Sequence, residues 1–340
     1  MEHIEGYTQI ELLSENSKTL IYRALSLSLN KHVILKVMSH NYANDSKIYN
    51  FTKEFEILSN IHSPHIIKPI ELIYNGEIPI MVLEDIGGTS LKEYIHSKKF
   101  TNEATLHEKL HIAIKITEAI AEIHKFNFIH KDINPSNIIF NKKNDILQII
   151  DFGLATNARS EQYDTSTNIN LQGTLAYISP EQTGRMNRIL DYRTDFYSLG
   201  VTLYEIFSGK LPFIATTTRE WVYCHVAKKH ESLCSIIPNY YTSISNIIDK
   251  LLSKTVEMRY QSAHGILTDL RLALIDLENT GTIHDFEIGL TDFSPLFELP
   301  QKIYGREKEI TALYNAFEEL EIWKTSLVLV HGLSGIGKTT

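Results

Sequence analysis

Hydrophobic positions change their spacing twice along the chain. The run Val33-Ile34-Leu35-Lys36-Val37-Met38 is apolar and β-branched, Tyr22 sits in an earlier run of the same kind, and turn formers fill residues 28 to 31. This pattern predicts paired strands. Over residues 47 to 60 the period lengthens, with Phe51, Phe55 and Leu58 on one helical face. Strand-like runs return at 66 to 74 and 79 to 84, and Gly87-Gly88 then breaks the chain. From about residue 105 the spacing becomes mainly helical. Ile112, Ile116, Ala119, Ile120 and Ile123 form a long apolar face that ends just before His130. Helical patterning continues to about Leu277. The expected class is α+β: a small β-rich lobe, then a larger α-rich lobe, with polar chemistry at the join.

Residues 278 to 303 lose periodicity and contain Thr280-Gly281-Thr282, Pro295 and Pro300, so they read as a linker, with packing on its neighbours one expectation for it. A new pattern starts at Tyr304-Gly305-Arg306-Glu307. A helix is expected from about 307 to 320, followed by an apolar strand at Leu327-Val328-Leu329-Val330. The expected units are therefore 7 to 275, a linker over 276 to 303, and a second domain beginning at 304. Composition adds limits. The 340 residues are 43% hydrophobic, enough for a full core, and the formal net charge of -8 argues against nucleic acid as the main partner. Cys224 and Cys234 do not make a disulfide framework, no apolar run is long enough for a membrane span, and Met1-Glu2-His3-Ile4-Glu5 is not a signal peptide. A cytoplasmic setting is expected.

The chemistry is concentrated in His130-Lys131-Asp132-Ile133-Asn134-Pro135-Ser136-Asn137, followed by Asp151-Phe152-Gly153. Phosphoryl transfer from ATP needs a carboxylate to hold the attacking hydroxyl and two oxygen ligands on separate segments to hold Mg²⁺. Asp132, Asn137 and Asp151 supply these groups in order. Asn and Asp also cap turns, so each residue alone would read as loop chemistry. Together they closely resemble the protein kinase signature, over roughly residues 7 to 275. The resemblance implies a bilobal fold, with ATP and Mg²⁺ as cofactors and a protein as substrate. It gives Lys36 the role of holding the α- and β-phosphates while paired with a helix glutamate: Glu54 by preference, Glu56 as runner-up. Asp132 becomes the base or hydroxyl-orienting group, and Asn137 and Asp151 the metal ligands. His130, Phe152 and Leu58 are read as packing residues. Glu84-Asp85-Ile86 becomes the adenine hinge, with Leu83 at the back of the pocket.

The same resemblance reads residues 151 to 181 as an activation segment. Gly173-Thr174 and Ser179-Pro180-Glu181 form its substrate-docking end, Glu181 is expected to pair with Arg259, and Asp195 to hold the catalytic-loop backbone. Thr165, Ser166 and Thr167 are candidate phosphorylation sites, with a plain polar loop an equal reading. The pattern also departs from the family. Positions that carry glycine in the phosphate-binding loop hold Ser14, Asn16 and Thr19, upstream of Ile21, so the cradle is compromised. Ile34 stands where a small alanine usually roofs the adenine. Asn134 stands where Ser/Thr kinases usually place a lysine for the γ-phosphate, and Lys131 replaces arginine. The expected activity is Ser/Thr protein phosphorylation. The competing class is a nucleotide-sensing regulatory module without catalysis.

A second nucleotide signal closes the sequence. Gly332-Leu333-Ser334-Gly335-Ile336-Gly337-Lys338-Thr339 fits G-x-x-x-x-G-K-[ST] directly after an apolar strand. Backbone amides there would cradle phosphates, Lys338 would reach the terminal ones and Thr339 would bind Mg²⁺. With Tyr304 to Glu307, this looks like the entry of an AAA-like, STAND-type ATPase. The whole order resembles large bacterial signalling proteins that join a Ser/Thr kinase, a regulatory ATPase and often a sensor histidine kinase. Downstream ATPase and sensor domains of the same polypeptide are thus implied partners.

Overall fold

The computed structural model describes residues 4–158, 173–186, 188–237 and 241–294, with residues 311, 312 and 329 in isolation. The chain divides into two compact units, Met1–Phe293 and Ser294–Thr340. The expected helix at 307 to 320, the strand at 327 to 330 and the motif at 332 to 339 lie almost wholly outside the described residues. So do Thr165, Ser166 and Thr167.

The first lobe is a five-stranded antiparallel sheet in the order β1-β2-β3-β5-β4. Its strands are β1 (Tyr7–Glu15), β2 (Thr19–Ser26), β3 (Lys31–Met38), β4 (Pro69–Asn75) and β5 (Ile78–Glu84). Alternation sorts the side chains of β3. Val33, Leu35 and Val37 are fully buried, and Ile34 and Lys36 fall on the opposite face. Helix α1 (Asp45–Asn60) starts where the Asn44 side chain accepts the Lys47 N–H, a standard N-cap. Its buried stripe is Phe51, Glu54, Ile57 and Leu58. Glu54 therefore sits in a helical row otherwise made of core residues.

The second lobe is mainly helical. After β6 (Thr89–Ser90), α2 (Leu91–Ile95) and α3 (Lys98–Glu103) comes the long α4 (Leu106–Lys125). Its buried face includes Ile112, Ile116, Ala119, Ile120 and Ile123. Short strands β7 (Phe128–Ile129), β8 (Ile138–Asn141), β9 (Ile146–Ile149) and β10 (Thr156–Asn157) frame the polar loops. Helix α5 (Arg193–Ser208) is buried on nearly every side, as a helix through the centre of a core must be. Around it lie α6 (Thr218–Val226), α7 (Leu233–Ile236), α8 (Thr242–Leu251) and α9 (Ala263–Thr280).

The segment read as a linker from 276 differs in its first half. Helix α9 continues to Thr280 and is closed by Gly281 at φ 77°. The chain then returns along the helical lobe. Ile283 is buried, Ser243 Oγ donates to the His284 carbonyl, and Gly289 N–H donates to Asp269. Asp292 is buried and accepts from the backbone N–H groups of Gln261 and Ser262 at 2.9 Å, just before α9. Polar anchors and the apolar contacts of Ile283, Phe286 and Ile288 together hold this strap in place, and these are too few and too irregularly spaced to form an apolar period.

One ion pair ties the activation-segment end to this lobe. Arg259 donates from both terminal nitrogens to Glu181, at 2.7 and 2.8 Å, with both side chains almost fully buried. Burial pushes the Glu181 carboxyl up, but the Arg259 guanidinium overrides this and holds it below its ordinary value. Such a carboxylate contributes stability that is fully present above the unfolded-state pKa and is lost as pH falls through the folded one. Arg259→Ala strands a buried charge and should cost about 3–5 kcal/mol at neutral pH. Thermal unfolding should show that deficit shrinking on acidification; a small deficit that ignores pH would contradict the assignment.

Candidate active site

The catalytic-loop candidates lie between β7 and β8, and their backbone is fixed from beneath. Asp195, at the start of α5 and fully buried, accepts from His130 N–H at 2.9 Å and Lys131 N–H at 2.8 Å. It also meets His124 Nε2 at 2.8 Å. From the other side, Gln182 Nε2 donates to the Lys131 carbonyl at 2.7 Å. Lys131 is held at φ 66° and Asp151 at φ 65°. Both are left-handed conformations that cost a non-glycine residue energy and cluster where surrounding structure over-determines them. The His130 and Phe152 rings pack edge to face with centroids 4.8 Å apart. Phe152 and Leu58 belong to the same hydrophobic core, and the His130 side chain is buried.

Lys36 is the junction of the two lobes. Its Nζ lies 2.7 and 2.9 Å from the Glu54 oxygens and 3.0 Å from Asp151 Oδ1. Glu56, the runner-up, is exposed on α1. Glu54 Oε1 also accepts the Phe152 N–H at 3.0 Å, so the helix glutamate grips the segment that carries Asp151. Burial disfavours the Lys36 charge, but Asp151 and Glu54 outweigh it and hold the ammonium above its ordinary value. The Lys36 charge in turn holds Asp151 down at about 2, so its carboxylate is ionised.

Asp132 is organised by its neighbours. Its Oδ2 accepts from Asn137 Nδ2 at 2.9 Å, and its Oδ1 accepts from Thr174 N–H at 2.9 Å. Asn134 Nδ2 donates to the Asp132 carbonyl and to Thr174 Oγ1 at 3.2 Å. Asn134 therefore ties the loop to the docking segment. Asn137 donates both its bonds through nitrogen, so its Oδ1 is left as an acceptor. Asp151 Oδ2 takes part in none of the hydrogen bonds among the described residues, whereas Oδ1 meets Lys36 and Gly153 N–H. Two hard oxygens on separate segments suit Mg²⁺, which prefers few protein ligands and completes its shell with water and phosphate. The described residues hold no cluster of three or more His, Cys, Asp or Glu that could hold a metal ion.

Lys36, Glu54, Asp132 and Asp151 share one open cavity of about 880 Å³, also lined by Asn16, Thr19, Gly173 and Thr174. Ser14, Ile21, Ile34, Glu84 and Ile86 are not in its lining. The sheet register relates them to it instead. Ser14 pairs with Ile21 and Ile21 with Lys36, while Ile34 pairs with Leu83 and Val33 with Glu84. The Glu84 carboxylate meets Lys31 at 3.2 Å, and the Ile86 carbonyl accepts from Asn141 Nδ2 at 2.7 Å. Gly332, Gly337, Lys338 and Thr339 lie outside the described residues.

Two arrangements escaped the motif reading. Asn16 Oδ1 accepts the backbone N–H groups of Lys18 and Thr19 at 2.8 and 2.9 Å, closing the β1–β2 turn on itself. The turn-forming chemistry of Asn was the available signal. Arg23 Nε meets Asp85 at 2.7 Å and joins β2 to the segment just after β5, a pairing across 62 positions that no local pattern announces.

A family model for the protein kinase domain matches residues 7–269. A probable serine/threonine-protein kinase of Clostridium perfringens is 29% identical over 265 residues, covering 78% of this chain and 38% of the relative. The serine/threonine-protein kinase PrkC of Bacillus subtilis is 31% identical over 276 residues, covering 80% of this chain and 41% of the relative. The hybrid signal transduction histidine kinase G of Dictyostelium discoideum is 33% identical over 187 residues, covering 49% of this chain and 5% of the relative. The chain thus spans about two fifths of the length of these bacterial relatives. With the lysine–glutamate pair, the buttressed aspartate loop and the two metal-suited oxygens in place, this chain belongs to the protein kinase family, whose domain occupies residues 7–269.

Proposed function

We infer that this chain carries an ATP- and Mg²⁺-dependent protein kinase that transfers the γ-phosphate to serine or threonine of proteins. The observation that carries this reading is Lys36 seated between Glu54 at 2.7 Å and Asp151 at 3.0 Å. This pairing supports Lys36 as the residue that would hold the α- and β-phosphates, and it keeps the Asp151 carboxylate ionised, as a metal ligand would need to be. Asp151 and Asn137 would hold Mg²⁺, which when bound neutralises charge on the phosphoryl oxygens. Asp132, fixed by Asn137 and Thr174, would orient the substrate hydroxyl and accept its proton. Serine or threonine is favoured by Thr174 bridging Asp132 and Asn134, and by the names of the bacterial relatives. Ile21, Ile34, Glu84 and Ile86 would frame the adenine. Beyond residue 303 we assign Gly332, Gly337, Lys338 and Thr339 to a second nucleotide site, the start of an ATPase in a larger cytoplasmic signalling protein. No described helix is long and apolar enough to cross a membrane.

Labelled ATP with Mg²⁺, the protein itself and casein as acceptor give the direct test. Asp132→Ala should reduce transfer by about a hundredfold to ten-thousandfold, with label on serine or threonine in the wild type. Equal transfer by both proteins would remove Asp132 from the chemistry. Label on tyrosine would overturn the acceptor assignment.

One observation favours the second reading, a nucleotide-sensing module that regulates the adjoining ATPase. The Lys18 and Thr19 amides, which a phosphate would need, are already bonded to Asn16 Oδ1. Asn16→Gly frees them and restores glycine at that position. It should lower the KM for ATP several-fold, roughly the worth of one or two exchanged hydrogen bonds. Absent transfer in the wild type, with ATP still binding in calorimetry, would favour the regulatory module.

A further inference from the structure

The reading above uses the loop Gly173 to Glu181 as the substrate-docking platform, and the structure places a buried polar relay beneath it. His225, on α6, is fully buried. Its Nε2 lies 2.8 Å from the carbonyl oxygen of Leu175, and its Nδ1 lies 3.1 Å from the hydroxyl of Tyr197 on α5. Lys254 Nζ in turn donates to that hydroxyl at 3.2 Å and to the Cys224 carbonyl at 2.9 Å. The Trp221 ring stacks on the imidazole at 5.9 Å, and Phe213 meets it edge-on at 5.5 Å.

The direction of every bond in this relay follows from valence. A backbone carbonyl can only accept, so Nε2 carries the imidazole proton. Nδ1 is then the acceptor, and Tyr197 must donate its only hydrogen to it. The Tyr197 oxygen is left to accept from Lys254, whose ammonium has no acceptor capacity. Burial, more than any neighbour, pushes His225 down to about 4, so it stays neutral at physiological pH and keeps this tautomer. Each member has a single role, and the chain ends on the backbone of Leu175.

Leu175 and Ala176 are half-buried and follow Thr174, whose N–H is bonded to Asp132. The loop is thus pinned at one end to the proposed base and one residue later to His225. We propose that His225, oriented by Tyr197 and Lys254, is a positioning residue that sets the height of the docking platform for the stretch of protein substrate beside the phosphoacceptor. This rests on the protein kinase reading above, but its geometric core does not require transfer to occur. His225 touches no group in the nucleotide cavity, so its contribution falls on acceptor binding.

Three variants separate the possibilities. His225→Phe keeps a ring between Trp221 and Phe213 and deletes the donor. His225→Gln returns an N–H at the reach of Nε2. Tyr197→Phe removes only the hydroxyl that fixes the tautomer. Amide hydrogen exchange across 173–178 should quicken in His225→Phe and Tyr197→Phe and return toward wild type in His225→Gln. With casein as the probe, the KM for protein should rise roughly five- to tenfold in His225→Phe, the scale of one lost buried hydrogen bond, with the KM for ATP unchanged. Unchanged exchange across 173–178 in both Phe variants overturns the proposal, as does an equal loss of kcat and ATP affinity in His225→Phe and His225→Gln alike. If the wild type transfers no phosphate, the kinase reading fails separately, and exchange still decides whether His225 anchors the loop.

Discussion

A single buried carboxylate sets the geometry on which the site depends. Asp195 takes two consecutive backbone N–H groups, from His130 and Lys131, and a third contact from His124 on α4. Burying a carboxylate is costly, and those partners offset the cost so well that the group stays ionised: burial pushes its pKa up, yet His124 and the backbone bonds hold it below its ordinary value. The carboxylate sits on the most deeply buried of the described helices, so the loop inherits the rigidity of the core. Asp132 is the next residue after the two held amides, and its position follows from theirs.

The second layer of constraint links that loop to the activation-segment end. Gln182 holds the Lys131 carbonyl, Thr174 N–H holds Asp132, and Glu181 is clamped by Arg259 and Thr194. The cavity between the lobes is therefore bounded below by a polar lattice. Above it, the constraint is the Lys36–Glu54 pair. Lys36 joins β3 to α1 through Glu54 and to the lower lobe through Asp151, and Glu54 reaches the same segment directly by accepting the Phe152 N–H, so the lobes are coupled through both charges.

Much of this was legible in the amino-acid sequence, for physical reasons. The continuous apolar, β-branched run over residues 33 to 38 and the stripe Phe51, Phe55, Leu58 mark the strand and helix that carry Lys36 and Glu54, because a buried strand excludes polar residues and a helix buried on one face spaces its apolar ones. The aspartate loop was legible because phosphoryl transfer tolerates few alternatives. The turn at Asn16 was half-visible: the missing glycines were clear, but not that a side-chain oxygen would take the amides they normally expose. The strap from Ile283 to Asp292 was legible only as a stretch expected to pack on its neighbours, and its polar anchors at His284, Gly289 and Asp292 were not. The relay through His225 was opaque, because it joins polar groups tens of residues apart, where neither periodicity nor motif spacing carries information. The limit of the first compact unit at Phe293, beyond the boundary that helical periodicity suggested, has the same cause.

The left-handed backbone at Asp151 has an evolutionary consequence. At φ 65° the residue carries strain of about 1–3 kcal/mol that glycine would not. Its carboxylate is nonetheless favoured where it sits, because the Lys36 ammonium 3.0 Å away holds it well below its ordinary pKa. Drift at this position toward glycine would relax the backbone but give up that ion pair, together with the proposed metal-binding oxygen. Strain and charge pairing thus pull in opposite directions at one position, and each limits what the other alone would select.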